Sequence, residues 1–240
     1  MSGKSTLLFM SKIQFTISVK NSIIYTSNKY TFRGGNMRVG IIGPIGSGKS
    51  TLSHLLANYY NVPMVKEPVA NSRFLPLFYS DMKKFALISQ NFFYGELFLS
   101  MWDTKDEPAL VCDSTLFSNL VFAELLKLEK IMDDEQVDLT YKIADAHMEI
   151  LPDVDIHIVL VRDEDSLFEN VRKRARDLEE GQYNYLKFHY ANYAGVLDRI
   201  FNRYNVPKQK ILYLKVDDMF DQLHFNDLVA QIEERYQQLQ

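Results

Sequence analysis

The sequence predicts an α/β protein, a five-stranded parallel sheet flanked by helices in three layers. Two observations predict it. After Met37, short apolar runs alternate with longer stretches of helical period, the pattern of parallel strands joined by crossover helices. The strand candidates also end in chemically pointed residues: a glycine-rich loop, Glu67, Asp113 and the pair Arg162-Asp163. Ligands of open parallel sheets collect beyond the carboxyl ends of the strands.

The first strand candidate, Arg38–Ile42, runs into Gly43-Pro44-Ile45-Gly46-Ser47-Gly48-Lys49-Ser50, and the helical stretch Thr51–Tyr60 follows. The eight residues complete G-x-x-x-x-G-K-[ST] in the strand-loop-helix setting that a phosphate loop requires. Glycines let successive N–H groups turn inward around phosphates, the lysine reaches the β/γ-phosphates, and the hydroxyl can hold Mg²⁺. The helix adds its positive N-terminal end. The chain is therefore expected to bind a nucleoside triphosphate on a P-loop NTPase-like fold. Further strands are expected at Pro63–Lys66, Ala109–Cys112, Asp155–Val161 and Lys210–Val216. Helices are expected at Lys83–Trp102, Leu116–Met132, Leu139–Ile150, Ser166–Arg176, Tyr183–Tyr204 and Asn226–Leu239.

Composition bounds the rest. At 240 residues, with 47% hydrophobic and 24% charged content, the chain can bury a full core. A net charge of −4 gives no general reason to expect a nucleic acid polymer or an anionic membrane as partner. Cys112 is the sole cysteine, which excludes an internal disulfide and fits a reducing, cytoplasmic setting. No apolar run reaches the roughly 18 residues that would cross a membrane. Residues 1–36 carry Lys4, Lys12, Lys20, Lys29 and Arg33 but no acid. They read as an extension outside the catalytic domain 37–240, with Met37 the functional start. Ser2 to Leu7 repeats Ser47 to Leu52, but without the first glycine and the strand it cannot form a phosphate loop.

Three further groups bear chemistry. Asp113 closes an apolar strand and can hold Mg²⁺, or it can cap the following helix. Glu67, before Pro68, can accept a proton from an attacking alcohol, or stand solvated in a loop. Arg172-Lys173-Arg174-Ala175-Arg176 can stabilise a transferring phosphoryl group, or form a solvated helix end with i,i+4 pairs.

In order and spacing, the segments G-P-I-G-S-G-K-S, K-E-P-V, F-Y-S-D, L-I-S-Q-N-F-F, V-C-D-S-T-L-F-S-N and K-R-A-R-D-L-E-E resemble the deoxynucleoside kinase family of deoxyguanosine, deoxyadenosine and deoxycytidine kinases. The resemblance covers the chain from Met37 onward. It implies ATP-dependent, Mg²⁺-assisted phosphorylation of a deoxynucleoside to its 5′-monophosphate, nucleotide salvage, a lid and a homodimer. It matches Glu67 to the general base beside the 5′-hydroxyl and Asp113 to the acid of an Asp/Glu-Arg-Ser motif. Lys49 serves the transfer, and Ser50 joins Asp113 at the metal. ATP falls to Gly43, Pro44, Ile45, Gly46, Ser47, Gly48, Lys49, Ser50 and Thr51, with Arg174 and Arg176 as lid arginines. Tyr79 and Glu179 match the pair on the 3′-hydroxyl, Gln90 the base-reading amide, and Phe93 and Phe122 the rings on either side of the base.

The departures lie close to the chemistry. Ser114 and Thr115 replace the arginine and serine of the acidic motif. Leu97 stands where an arginine helps to read the base, and Asn119 replaces that arginine's aspartate partner. The two base-site losses fit together, since a buried aspartate without its arginine would be an unpaired charge. Other readings are a second kind of small-metabolite or nucleotide kinase on the same scaffold, and a catalytically impaired nucleotide-binding member of the family, which Ser114 suggests. A GTP switch is disfavoured, because D-x-x-G and N-K-x-D are missing after Met37 and Asn28-Lys29-Tyr30-Thr31 lacks the final acid.

Overall fold

The computed structural model describes residues 37–68, 72–174 and 181–240. The extension 1–36, Arg176 and Glu179 lie outside the described residues. The elements run β1 (Arg38–Ile42), α1 (Lys49–Tyr60), β2 (Met64–Val65), α2 (Phe74–Ser80), α3 (Met82–Asp103), β3 (Leu110–Asp113) and α4 (Leu116–Leu128). They continue with α5 (Asp134–Met148), β4 (Ile156–Val161), α6 (Glu164–Lys173), α7 (Tyr183–Arg203), β5 (Ile211–Lys215) and α8 (Gln222–Gln237). The strands form one parallel sheet in the order β2-β3-β1-β4-β5.

Side chains of neighbouring strand residues point to opposite faces, and the two faces carry separate cores. Val39 and Ile41 pack with Leu52 and Leu56 of α1 and with Leu228 and Ile232 of α8. Ile42 and Cys112 face the other way, toward a cluster that includes Tyr94 and Leu97 of α3, Leu120 of α4 and Val196 of α7. Full burial of each such aliphatic side chain is worth about 1.5–3 kcal/mol.

All five expected strands are present, and the helices differ at their ends for local reasons. α1 begins at Lys49 rather than Thr51, so the lysine and serine of the phosphate loop are its first residues. α5 begins at Asp134, five residues early. Asp133 Oδ1 accepts from the Gln136 N–H at 2.8 Å and Gln136 Oε1 accepts from the Asp133 N–H at 3.1 Å, a reciprocal cap. α4 stops at Leu128, where Glu129 caps it and Lys130 turns to φ 60°. α8 begins at Gln222, capped by Asp221. The short helix α2 was not anticipated from the pattern.

Candidate active site

The site forms beyond the carboxyl ends of β1, β2, β3 and β4. After β1 the phosphate loop turns through a Ser47 N–H to Pro44 O bond of 3.1 Å, with Gly46 and Gly48 at φ +83° and +96°. That region strains any residue with a Cβ. A Cβ on Gly46 would also lie 2.6 Å from the backbone oxygen of Leu167. Gly46→Ala is therefore expected to lower stability by about 1–3 kcal/mol, read as a shift in the denaturant midpoint. Asn170 of α6 donates its Nδ2 to Gly46 O at 2.9 Å, which ties the loop to the helix ahead of the arginine cluster. Lys49 is buried and donates its ammonium to Gly43 O at 2.9 Å and Pro44 O at 3.3 Å.

Two cavities meet at this loop. A cleft of about 820 Å³ is lined by Gly46, Gly48, Lys49, Ser50, Thr51, Asp113, Arg162 and Asn170, among others. A narrower inner cavity of about 100 Å³ is lined by Tyr79, Gln90, Phe93, Asn119, Phe122 and Tyr185, among others. Lys49, Glu67 and Arg174 line both.

Asp113 is the last residue of β3 and is buried, and its Oδ1 has no hydrogen-bond partner among the described residues. It does not cap α4; Thr115 holds that position and donates its N–H to Ser118 Oγ at 3.5 Å. Between them Ser114 is fully buried at φ +100°, its hydroxyl also without a partner among the described residues. At the end of β4 the expected pair divides. Arg162 lines the cleft and donates to Asp217 O at 2.8 Å, whereas Asp163 caps α6. Within the basic cluster Lys173 makes an exposed i,i+4 pair with Glu169 at 2.8 Å, while Arg174 reaches both cavities.

The wall of the inner cavity is aromatic, with two amides set into it. Gln90 and Asn119 are buried, and Asn119 Nδ2 has no partner among the described residues. Phe122 packs 4.8 Å from the ring of His189, whose pKa is pushed down to about 3 by burial and then by the Lys49 charge. A neutral imidazole therefore backs the pocket. Leu97, 1% exposed, belongs to the core and does not line the cavity. Residues not singled out from the sequence include Phe78 and Tyr185 in the cavity wall and Asn170 at the loop. Asn170 shares one α6 stripe with the buried Leu167 and Val171, and that spacing is the signal that marks it.

A parallel sheet of this order, with a phosphate loop leaving its central strand, defines a P-loop NTPase-like protein. A sequence model described as "Deoxynucleoside kinase" matches residues 39–237. The chain belongs to the deoxynucleoside kinase family, and so to the kinases. It is 28% identical over 205 residues to a deoxyguanosine kinase of Lactobacillus johnsonii, covering 80% of this chain and 91% of that protein. It is 30% identical over 149 residues to a deoxyguanosine kinase of Lactobacillus acidophilus, covering 59% of this chain and 64% of the relative. A solved deoxyadenosine kinase from M. mycoides with bound dATP superposes with a TM-score of 0.68 at 21% identity, over 82% of this chain and all of that one. At that identity the likeness establishes the fold. Among the described residues, no helix is long and apolar enough to cross a membrane.

Proposed function

We propose that the protein transfers the γ-phosphoryl group of ATP to the 5′-hydroxyl of a deoxynucleoside. The observation that carries this reading is the junction, where Lys49, Glu67 and Arg174 line both cavities at once. A donor in the cleft and an acceptor in the inner cavity would meet at a cation, a carboxylate and a second cation. In-line phosphoryl transfer uses that set: positioning, charge stabilisation and one proton acceptor.

In this mechanism the triphosphate lies on Gly43 to Thr51, with Lys49 on its outer phosphates. Arg174, with Arg176, closes over the transferring group and stabilises its spreading charge. Glu67 accepts the 5′-hydroxyl proton as that oxygen attacks. Tyr79 and Glu179 hold the 3′-hydroxyl, Phe93 and Phe122 flank the base, and Gln90 and Asn119 read its edge. Asp113 and Ser50 offer hard oxygens on one cleft, and the unpartnered buried Oδ1 of Asp113 suits Mg²⁺. Bound there, Mg²⁺ would neutralise phosphate charge. No cluster of three or more metal-ligating side chains occurs among the described residues, so phosphates and water would complete its shell. The inner cavity is smaller than the roughly 300 Å³ at which small-molecule pockets begin, so a deoxynucleoside enters as its walls part.

Radiolabelled ATP with each deoxynucleoside, resolved by thin-layer chromatography, tests the reading through label in a monophosphate. No transfer to any of them favours an impaired binding protein, as Ser114 suggests. Transfer only to another metabolite favours a different kinase.

Base selection follows from the amides. Each presents a donor and an acceptor and can turn over to suit a base, so a wrong base leaves few buried groups unpaired. We expect broad selectivity with a purine slightly favoured, and kcat/KM spanning less than about 10³-fold across the four natural deoxynucleosides. Leu97→Arg with Asn119→Asp is expected to sharpen it at a cost in stability, because Leu97 packs in the core. A further expectation is that a chain starting at Met37 keeps its melting temperature and turnover. The sheet, the phosphate loop and the family match all fall after that residue, and a large loss of either would show that the extension packs on the fold.

A further inference from the structure

The segment between β5 and α8 carries two side-chain tethers on one residue. Val216 still belongs to the sheet, its N–H donating to Val161 O at 3.2 Å. At Asp217 the ladder ends, and both backbone groups of that residue turn to side chains from other elements. Arg162, just past β4, donates Nη2 to Asp217 O at 2.8 Å. His224, in the first turn of α8, accepts the Asp217 N–H on Nε2 at 3.2 Å. The backbone of His224 is fixed in turn, its N–H donating to Asp221 Oδ1 at 2.8 Å.

The tethered segment borders the phosphate loop. Asp217, Asp218, Met219 and Phe220 line the larger cleft together with Arg162. Met219 is buried, and a Cβ on Gly48 would come within 2.4 Å of its methyl, so the segment sits directly on the phosphate loop. Phe220 is 67% exposed, and Asp217 and Asp218 are exposed as well, so packing holds the segment at Met219 and polar bonds hold the rest. An exposed N–H can bond to water instead, so the bond to His224 adds little to overall stability. What it adds is restriction of the backbone. Among the described residues His224 does not line the cleft, so its influence there passes through Asp217.

We propose that His224 is a positioning residue for the phosphate donor, holding Asp217–Phe220 in the shape that walls the donor's cleft. This rests on the reading above that the donor occupies that cleft. His224 fixes the N–H side of Asp217 and Arg162 the carbonyl side, so the backbone there cannot turn without breaking a bond. Nε2 accepts, which places the ring proton on Nδ1. A wall ordered before the donor arrives spares part of the ordering entropy that binding otherwise costs.

Two variants of the full chain test this: His224→Leu removes the acceptor, and His224→Gln offers an amide oxygen in its place. Calorimetry with Mg²⁺ and the non-hydrolysable ATP analogue AMP-PNP reads donor binding without turnover. His224→Leu is expected to weaken that binding about five-fold and to raise KM for ATP alike. KM for the deoxynucleoside and the melting temperature should change little, and His224→Gln should recover most of the loss. A merely structural role would lower the melting temperature and affect both substrates. In the unaltered protein, AMP-PNP should shift the Asp217 amide resonance, which keeps the test sound if a variant misfolds. Unchanged AMP-PNP affinity in His224→Leu, equal losses for both substrates, no recovery in His224→Gln, or an unmoved Asp217 signal overturns the proposal alone. No AMP-PNP binding by the unaltered protein overturns the donor reading and the proposal with it.

Discussion

Lys49→Ala is expected to abolish phosphoryl transfer, with turnover falling by about 10³-fold or more, while the fold survives. The loop owes its shape to other groups. Gly46 and Gly48 supply the positive φ angles, the Ser47 N–H closes the turn on Pro44 O, and Asn170 holds Gly46 O from outside. Among the described residues the ammonium bonds to the loop carbonyls of Gly43 and Pro44, so its removal deletes charge at the junction while the glycines, the Ser47 turn and Asn170 keep the loop's shape. Steady-state turnover and a thermal melt on the same preparation check this. Unchanged turnover would sink the phosphate-loop assignment.

The second large effect is expected at Glu67. Two carboxylates leave adjacent strands, since β2 and β3 pair at Val65↔Cys112, Glu67 follows β2, and Asp113 ends β3. Only Glu67 lines both cavities; Asp113 lines the cleft alone. In the proposed mechanism Glu67 therefore takes the acceptor's proton and Asp113 would hold the metal. Glu67→Gln keeps size and hydrogen bonding but removes basicity. We expect kcat to fall by about 10²-fold or more, with KM changed less. Near-normal kcat in Glu67→Gln beside a dead Asp113→Asn would exchange the two roles.

Much of this was legible in the sequence because strands and loops leave sharp local marks. Arg38–Ile42 and the glycine pattern after it are contiguous, and apolar runs ending in Glu67 and Asp113 point at one edge of a sheet. Resemblance added Tyr79, Gln90, Phe93, Asn119, Phe122 and Arg174, which the fold brings to one cavity from α2, α3, α4 and the end of α6. What stayed hidden depends on neighbours far along the chain. The seven residues of α2, with Pro76 among them, are too few to show a helical period. The start of α5 rests on a polar cap, ahead of the apolar face that the period reveals. Asn170 gains its meaning only when α6 is laid against Gly46, 124 residues away.

The strand order has a consequence for how the chain becomes a protein at all. β1, central in the sheet, pairs with Leu110–Asp113 on one side and with Ile156–Val159 on the other. As the chain leaves the ribosome, Val39, Ile41 and Ile42 emerge early and wait for partners made much later. The loop entropy of each pairing must be met before that contact stabilises the chain, a recipe for slow folding and a long-lived sticky segment. Refolding is therefore expected to be slow and concentration-sensitive. Amide exchange during refolding should show the β1 N–H groups fully protected only once both β3 and β4 have paired with it.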